Sequence, residues 1–248
     1  MKSYKDKLKE INSVYDVWLS DSIEPMIDFP TTWSQSGHID CKTEYLLNNH
    51  GLRCDDFNAV DLQENHVLFA GCEITIPMDI DLKNAWSYKI YEDFFKNKNG
   101  FRSISYPGAN QDKIIINIIK YIYKYGKPNK IILLMPEAIR SYGFWNEGKA
   151  FKPKMYRQFK SDSGIEHNSM ALPNDVPLEL LCLKYIQSMR FLEIFCNVSK
   201  IDLIWSTWDK DTSDIIEDKG FLKFIPISNN LYDQIDIYNL FKNKIEGV

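Results

Sequence analysis

Histidine is scarce in this chain, and the little there is does not sit where metal sites or acid–base catalysis would need it. The 248 residues hold four histidines, His38, His50, His66 and His167. None shows HxxxH or similar ligand spacing, so neither a metal nor another cofactor is expected. No histidine follows His167. The five cysteines, Cys41, Cys54, Cys72, Cys182 and Cys196, are odd in number and lack a CxxC pair. That pattern fits reduced thiols rather than a disulfide framework. No apolar run approaches the roughly 20 residues that span a bilayer. The opening Met1-Lys2-Ser3-Tyr4-Lys5-Asp6 is charged and lacks the apolar core of a secretion signal. Positive charge is not in excess: 30 Lys and Arg stand against 34 Asp and Glu. A general nucleic-acid coat is therefore not expected. Internal repeats and low-complexity tracts are also missing.

What is present is a regular alternation of apolar runs and helical stripes from residue 67 onward. Val67-Leu68-Phe69-Ala70 reads as a buried strand that Gly71 ends, with a polar turn, Cys72 to Thr75, behind it. A helical pattern follows from about Leu82, with Trp86, Ile90 and Phe94 on one face. Residues 101–105 read as a second strand. Ile115, Ile118, Ile119 and Ile122 mark a second helix that Gly126 and Pro128 close. Residues 130–135 are almost wholly apolar, as befits a strand covered on both faces. Leu178, Leu181, Tyr185, Met189 and Leu192 mark a long helix, residues 201–205 a fourth strand, and residues 221–227 a fifth, at the edge. Residues 231–245 read as a closing helix with Ile235, Leu240 and Phe241 inward. The alternation predicts a three-layer α/β sandwich around a parallel, flavodoxin-like, five-stranded sheet in the order 2-1-3-4-5.

Two segments break the rhythm. Residues 1–66 form an N-terminal extension ahead of the α/β domain of residues 67–248. Its Tyr4, Leu8, Ile11, Tyr15 and Trp18 fall on one helical stripe, which fits packing on the chain's own domain or on a partner chain. The rest of the extension is expected to wrap the sheet, with Trp33 and Phe57 as anchors. Residues 138–177 form an aromatic and basic insertion, placed to act as a lid over the carboxyl edge of the sheet. Lys152 and Arg157 within it are candidate contacts for a phosphate or an acidic sugar; a solvated loop or a contact with an acidic partner is the plainer reading.

The turn Gly71-Cys72-Glu73-Ile74-Thr75 resembles the first block of the SGNH (GDSL-type) hydrolases, in which a Gly-Asp-Ser or Gly-Cys-Ser triplet carries the nucleophilic serine. Asn49 to Phe57 is similar to the lead-in of many members. Tyr106-Pro107-Gly108-Ala109-Asn110 resembles the second block, whose glycine supplies an oxyanion-hole amide. Phe195-Cys196 with Ile201 to Trp208 is similar to SGNH-like proteins of tailed bacteriophages. The resemblance covers roughly residues 48–210 and implies the SGNH fold. It also fixes where the chain departs from the family. Glu73 stands at the serine position. Met135-Pro136-Glu137-Ala138-Ile139-Arg140 offers no asparagine where the third block has one. The closing Asp-x-x-His is absent. Losing the nucleophile or its base typically costs several orders of magnitude in rate.

A vestigial cleft is therefore expected around Glu73, Gly108, Asn110, Glu137 and Arg140. Cys72 is expected to point away from it, without a histidine to activate it. Glu73, Glu137 and Asp209 are expected at the ends of neighbouring strands, where a carboxylate pair about 5–10 Å apart could cleave a glycoside. The alternative is that these acids are solvated, or paired with Arg140 and the lid lysines. Trp205, Trp208 and Asp209 are candidate ligand contacts, although strand-end aromatics are more often buried. The resemblance implies a catalytically impaired protein used for structure or binding in a bacteriophage virion or tail. That role would mean synthesis in a host cytoplasm, and partners that are other protein chains or a glycan rather than a membrane or nucleic acid. An active ester hydrolase on acetylated glycans or lipids, and a carbohydrate-binding module, are the alternatives.

Overall fold

The structure is a computed structural model that describes residues 48, 50, 52–57, 66–77, 80–96, 100–105, 109–147, 150–156 and 177–247. Side chains are described outside the 141–156 segment and Leu178. Among the described residues four parallel strands form the main sheet: β1 (Val67–Gly71), β2 (Arg102–Ser103), β3 (Lys130–Met135) and β6 (Asp202–Thr207), in the order β2-β1-β3-β6. This is the start of the expected order, with β6 as the fourth strand of the sequence reading. The expected fifth strand is reduced to one parallel bridge, Trp205 to Phe224, beside the β6 edge. Pro226 and the exposed Leu222 leave little of residues 221–227 able to continue the ladder.

Each strand is long enough only to cross a buried layer. β1 is buried at all five positions, and β3 at five of its six. Such runs cannot show a period of two, because both faces are covered. The covering helices are α1 (Trp86–Phe94), α2 (Gln111–Tyr125), α3 (Leu178–Val198), α4 (Lys210–Glu217) and α5 (Gln234–Glu246). α1 connects β1 to β2 in one direction, whereas α2 and α3 serve crossovers in the other. Right-handed crossovers then place α1 on the face opposite α2 and α3. The contacts agree. α1 packs with α5, where Trp86 and Phe241 stack at 4.7 Å. α2 packs with α3, where Lys184 pairs with Asp112.

The stripes read from the sequence hold in most places. Trp86 and Ile90 are buried on α1; Ile115 and Ile118 are buried on α2, with Ile119 and Ile122 partly so. Gly126 ends α2 at φ 96°. On α5 Phe241 faces inward as expected and Leu240 is half-buried, but Ile235 does not face inward. Ile235 is 59% exposed, and the buried pair is Ile237 and Phe241, four apart. Asp233 caps this helix, so Ile235 sits in its first turn and faces water.

Of the extension, Tyr4, Leu8, Ile11, Tyr15, Trp18 and Trp33 lie outside the described residues. Phe57 is an anchor as expected, buried between the His50 ring at 5.3 Å and Tyr121 at 5.1 Å. The insertion holds an antiparallel hairpin that the sequence reading missed, β4 (Ser141–Glu147) with β5 (Ala150–Tyr156). Pro153 lies within its ladder opposite Phe144, and proline inside an apolar run argues against a strand. The missed signal is Gly148-Lys149, a two-residue link beginning with glycine between two aromatic runs. Among the described residues no helix is long and apolar enough to cross a membrane.

Candidate functional site

In a parallel sheet whose order reverses between β1 and β3, the crevice for a ligand opens at the carboxyl ends of those two strands. The turn after β1 delivers Glu73 there, and the turn after β3 delivers Glu137 and Arg140. The three side chains form one ionic cluster. Arg140 donates from Nη1 to Glu73 Oε2 at 2.8 Å and from Nη2 to Glu73 Oε1 at 2.7 Å, a two-pronged pair. Its Nη2 also lies 3.2 Å from Glu137 Oε2. The Arg140 side chain is 1% exposed, Glu137 5% and Glu73 31%. Burial on its own would weaken the guanidinium's hold on its proton, but the bond it donates to Glu73 and the charge of Glu137 overcome this and raise its pKa.

The second block reaches the same place. Arg140 Nη1 lies 3.4 Å from the Ala109 carbonyl oxygen, and Asn110 is buried beside it. Asn110 serves as the N-cap of α2, its Oδ1 accepting from the Lys113 amide at 3.0 Å. Glu73, Ala109, Glu137 and Arg140 thus meet at one edge. Gly108 and Arg157 lie outside the described residues. Lys152 lies on β5 opposite Trp145, and its side chain falls outside the described ones.

The other ligand candidates turn out to be framework. Trp205 is fully buried under the edge, donating from Nε1 to Glu193 at 2.9 Å and packed on Phe224 at 4.6 Å. Trp208 is also buried, with Arg140 5.9 Å from its ring centre and Tyr232 at 5.5 Å. Neither ring offers a face for sugar stacking. Asp209 caps α4: its Oδ2 accepts from the Thr212 amide at 2.9 Å and from the Thr212 hydroxyl at 2.6 Å. The same hydroxyl accepts from the Ala138 amide at 2.9 Å. Asp209 therefore fixes the turn that carries Glu137 and Arg140. The sequence reading missed α4, whose eight residues are too few to show a stripe, although Asp209 ahead of Thr212 is a capping signal.

Among the described residues, nucleophiles and bases are poorly placed. Cys72 is buried, and burial, with the Glu73 carboxylate adding to it, pushes its thiol up to about 12, so it stays protonated at neutral pH. Thr75 is fully buried in the turn. Ser87 donates to the Thr75 carbonyl at 2.8 Å, and Ser206 to Ile225 at 2.7 Å. His66 precedes β1, so the length of that strand, about 16 Å, separates it from the Glu73 turn. His50 sits at the far end of α2, 2.5 Å from the Tyr125 hydroxyl, and burial lowers its pKa, with Lys124 adding to the effect. His38 and His167 lie outside the described residues. A glycosidase needs two acids facing the glycosidic oxygen, one of them carrying a proton. Here Glu73 and Glu137 are both turned onto one guanidinium. Among the described residues no group of three or more His, Cys, Asp or Glu could hold a metal ion.

The strand order and the crevice define the class as an open, parallel, doubly wound α/β domain. Among solved structures, the chain is similar to a member of the lipolytic protein G-D-S-L family from Veillonella parvula. That match has 12% identity and a TM-score of 0.42, over 75% of this chain and 98% of that one. It is also similar to a carbohydrate esterase family 2 enzyme with a carbohydrate-binding domain from Corynascus thermopiles (Myceliophthora fergusii). There the identity is 8% and the TM-score 0.40, over 74% of this chain and 66% of that one. No family model matches the sequence, and no curated protein matches it.

Proposed function

We propose that this chain is an SGNH-like domain whose catalytic centre has been replaced by an ion pair, and that it serves as a structural or binding component rather than an ester hydrolase. The observation that carries this reading is the two-pronged bond from Arg140 to Glu73 at 2.7 and 2.8 Å, at the position the sequence blocks assign to the nucleophile. A carboxylate held in this way is occupied on both oxygens, and a buried thiol beside it is protonated. Neither can open an ester by the route of an activated serine. A role in a bacteriophage virion or tail, with other protein chains as partners, rests on the likeness of residues 195–208 to proteins of tailed phages. The glycan-binding alternative is weakened by the burial of Trp205 and Trp208.

Hydrolysis of p-nitrophenyl acetate and of acetylated sugars by the purified chain tests the reading. The rate is expected to equal that of a heat-denatured control. Turnover that disappears in Glu73→Gln would establish a carboxylate mechanism and overturn the proposal. Turnover that survives the substitution would do the same by placing an active site elsewhere.

A further inference from the structure

Helix α3 has two apolar faces, and the sheet accounts for only one. Leu181, Tyr185, Met189, Leu192 and Cys196 are buried against the domain. On the opposite side Leu180, Leu183, Phe191, Ile194 and Val198 are between 49% and 76% exposed. With Gln187 they follow the spacing 3, 4, 4, 3, 4, which keeps them in one stripe along the whole helix. Five large apolar side chains in line on one helix are not the scattered exposure of an ordinary surface.

We infer that this stripe is the interface with a second copy of the same chain, packed antiparallel across a two-fold axis near Met189. About residue 189 the positions mirror one another to within one residue: Leu180 and Val198 are equidistant from it, as are Gln187 and Phe191. An antiparallel copy sets Leu180 against Val198, Leu183 against Ile194 and Gln187 against Phe191, and each pairing recurs across the axis, as a two-fold interface requires. Charge agrees with this register. Glu179 is exposed at the start of the helix and Lys200 just beyond its end, so the antiparallel copy brings opposite charges together at both ends. A parallel copy would bring like charges together. The flanking cations are already committed: Lys184 pairs with Asp112, and Arg190 donates to the carbonyls of Lys219 and Gly220 and lies over the Phe221 ring at 4.1 Å. They therefore border the stripe without interrupting it. Two copies of the stripe with its flanks supply on the order of 1,000 Å², the lower end of a specific interface. This surface is separate from the Glu73 crevice, so the inference stands whether or not that crevice is catalytically silent.

Sedimentation velocity of the full chain across a dilution series tests it. The wild type is expected to sediment as a dimer. Phe191→Glu and Ile194→Glu should each raise the dissociation constant roughly 30-fold or more, the loss of a central contact. Their circular dichroism and melting temperature as monomers should match those of the wild-type monomer. A second measurement fixes the register even if the glutamate variants fold poorly. Leu180→Cys mixed with Val198→Cys should be joined by a short bismaleimide faster than either variant alone. A wild type that is monomeric throughout overturns the inference, as does dimerisation unaffected by the glutamates. A monomer whose melting temperature falls in the variants also overturns it, because the stripe is then covered by the chain's own residues. Joining of Leu180→Cys to itself in preference to Val198→Cys excludes the antiparallel arrangement.

Discussion

Arg140→Met is expected to cost the fold about 3–5 kcal/mol, the usual penalty for removing one partner of a buried ion pair. Arg140 is one of the most fully buried large side chains described, and it faces two carboxylates. Methionine fills much of the same space, so the loss is chiefly electrostatic. Glu73 and Glu137 would be left near each other without the guanidinium. Glu73→Gln should cost less, because Glu73 is 31% exposed and water can take over part of its solvation. Urea titration of both variants measures the difference. A loss below about 1 kcal/mol for Arg140→Met would place the pair among the solvent-screened kind, and the crevice would then be open rather than filled.

Gly71→Ala is the second large effect, expected at about 3 kcal/mol or more and read as a fall in the urea midpoint. Gly71 closes β1 with φ at 158°, where the strand turns sharply into Cys72 and Glu73. A methyl group there would sit 2.0 Å from Thr75 Oγ1 and 2.6 Å from the Leu134 carbonyl oxygen. The threonine hydroxyl can move alone, but the carbonyl is backbone within the β1–β3 ladder and cannot. Glycine is therefore required by close approach, whatever chemistry the turn performs. A stable Gly71→Ala variant with an unchanged midpoint would show that the β1 turn is looser than described.

The fold was legible because its signals are long-range and redundant. Apolar runs at 67–70 and 130–135 could only be strands covered twice, and the stripe from Leu181 to Leu192 only a helix. The order β2-β1-β3-β6 then follows from right-handed crossovers. Local signals failed where they were short or contradictory: α4 has eight residues, and Pro153 hides β5. On α5 the cap at Asp233 turns Ile235 to water, and Ile237 takes the inward place beside Phe241. The cleft was legible in part. Glu73, Glu137 and Arg140 share an edge because the three blocks end adjacent strands, and the sequence leaves open both a pairing of the acids with Arg140 and a catalytic use of them. Trp205, Trp208 and Asp209 were misassigned as ligand contacts, because sequence position places a residue at a strand end without saying which way it faces. Burial and capping decided that.

The central claim is that no activated nucleophile stands in the β1–β3 crevice. Intact-mass measurement after treatment with a fluorophosphonate, which bonds covalently to activated serines, tests this most directly. The account predicts an unmodified mass after prolonged exposure, with a serine hydrolase as a positive control. A stoichiometric adduct that maps by peptide sequencing to any serine of this chain would contradict it.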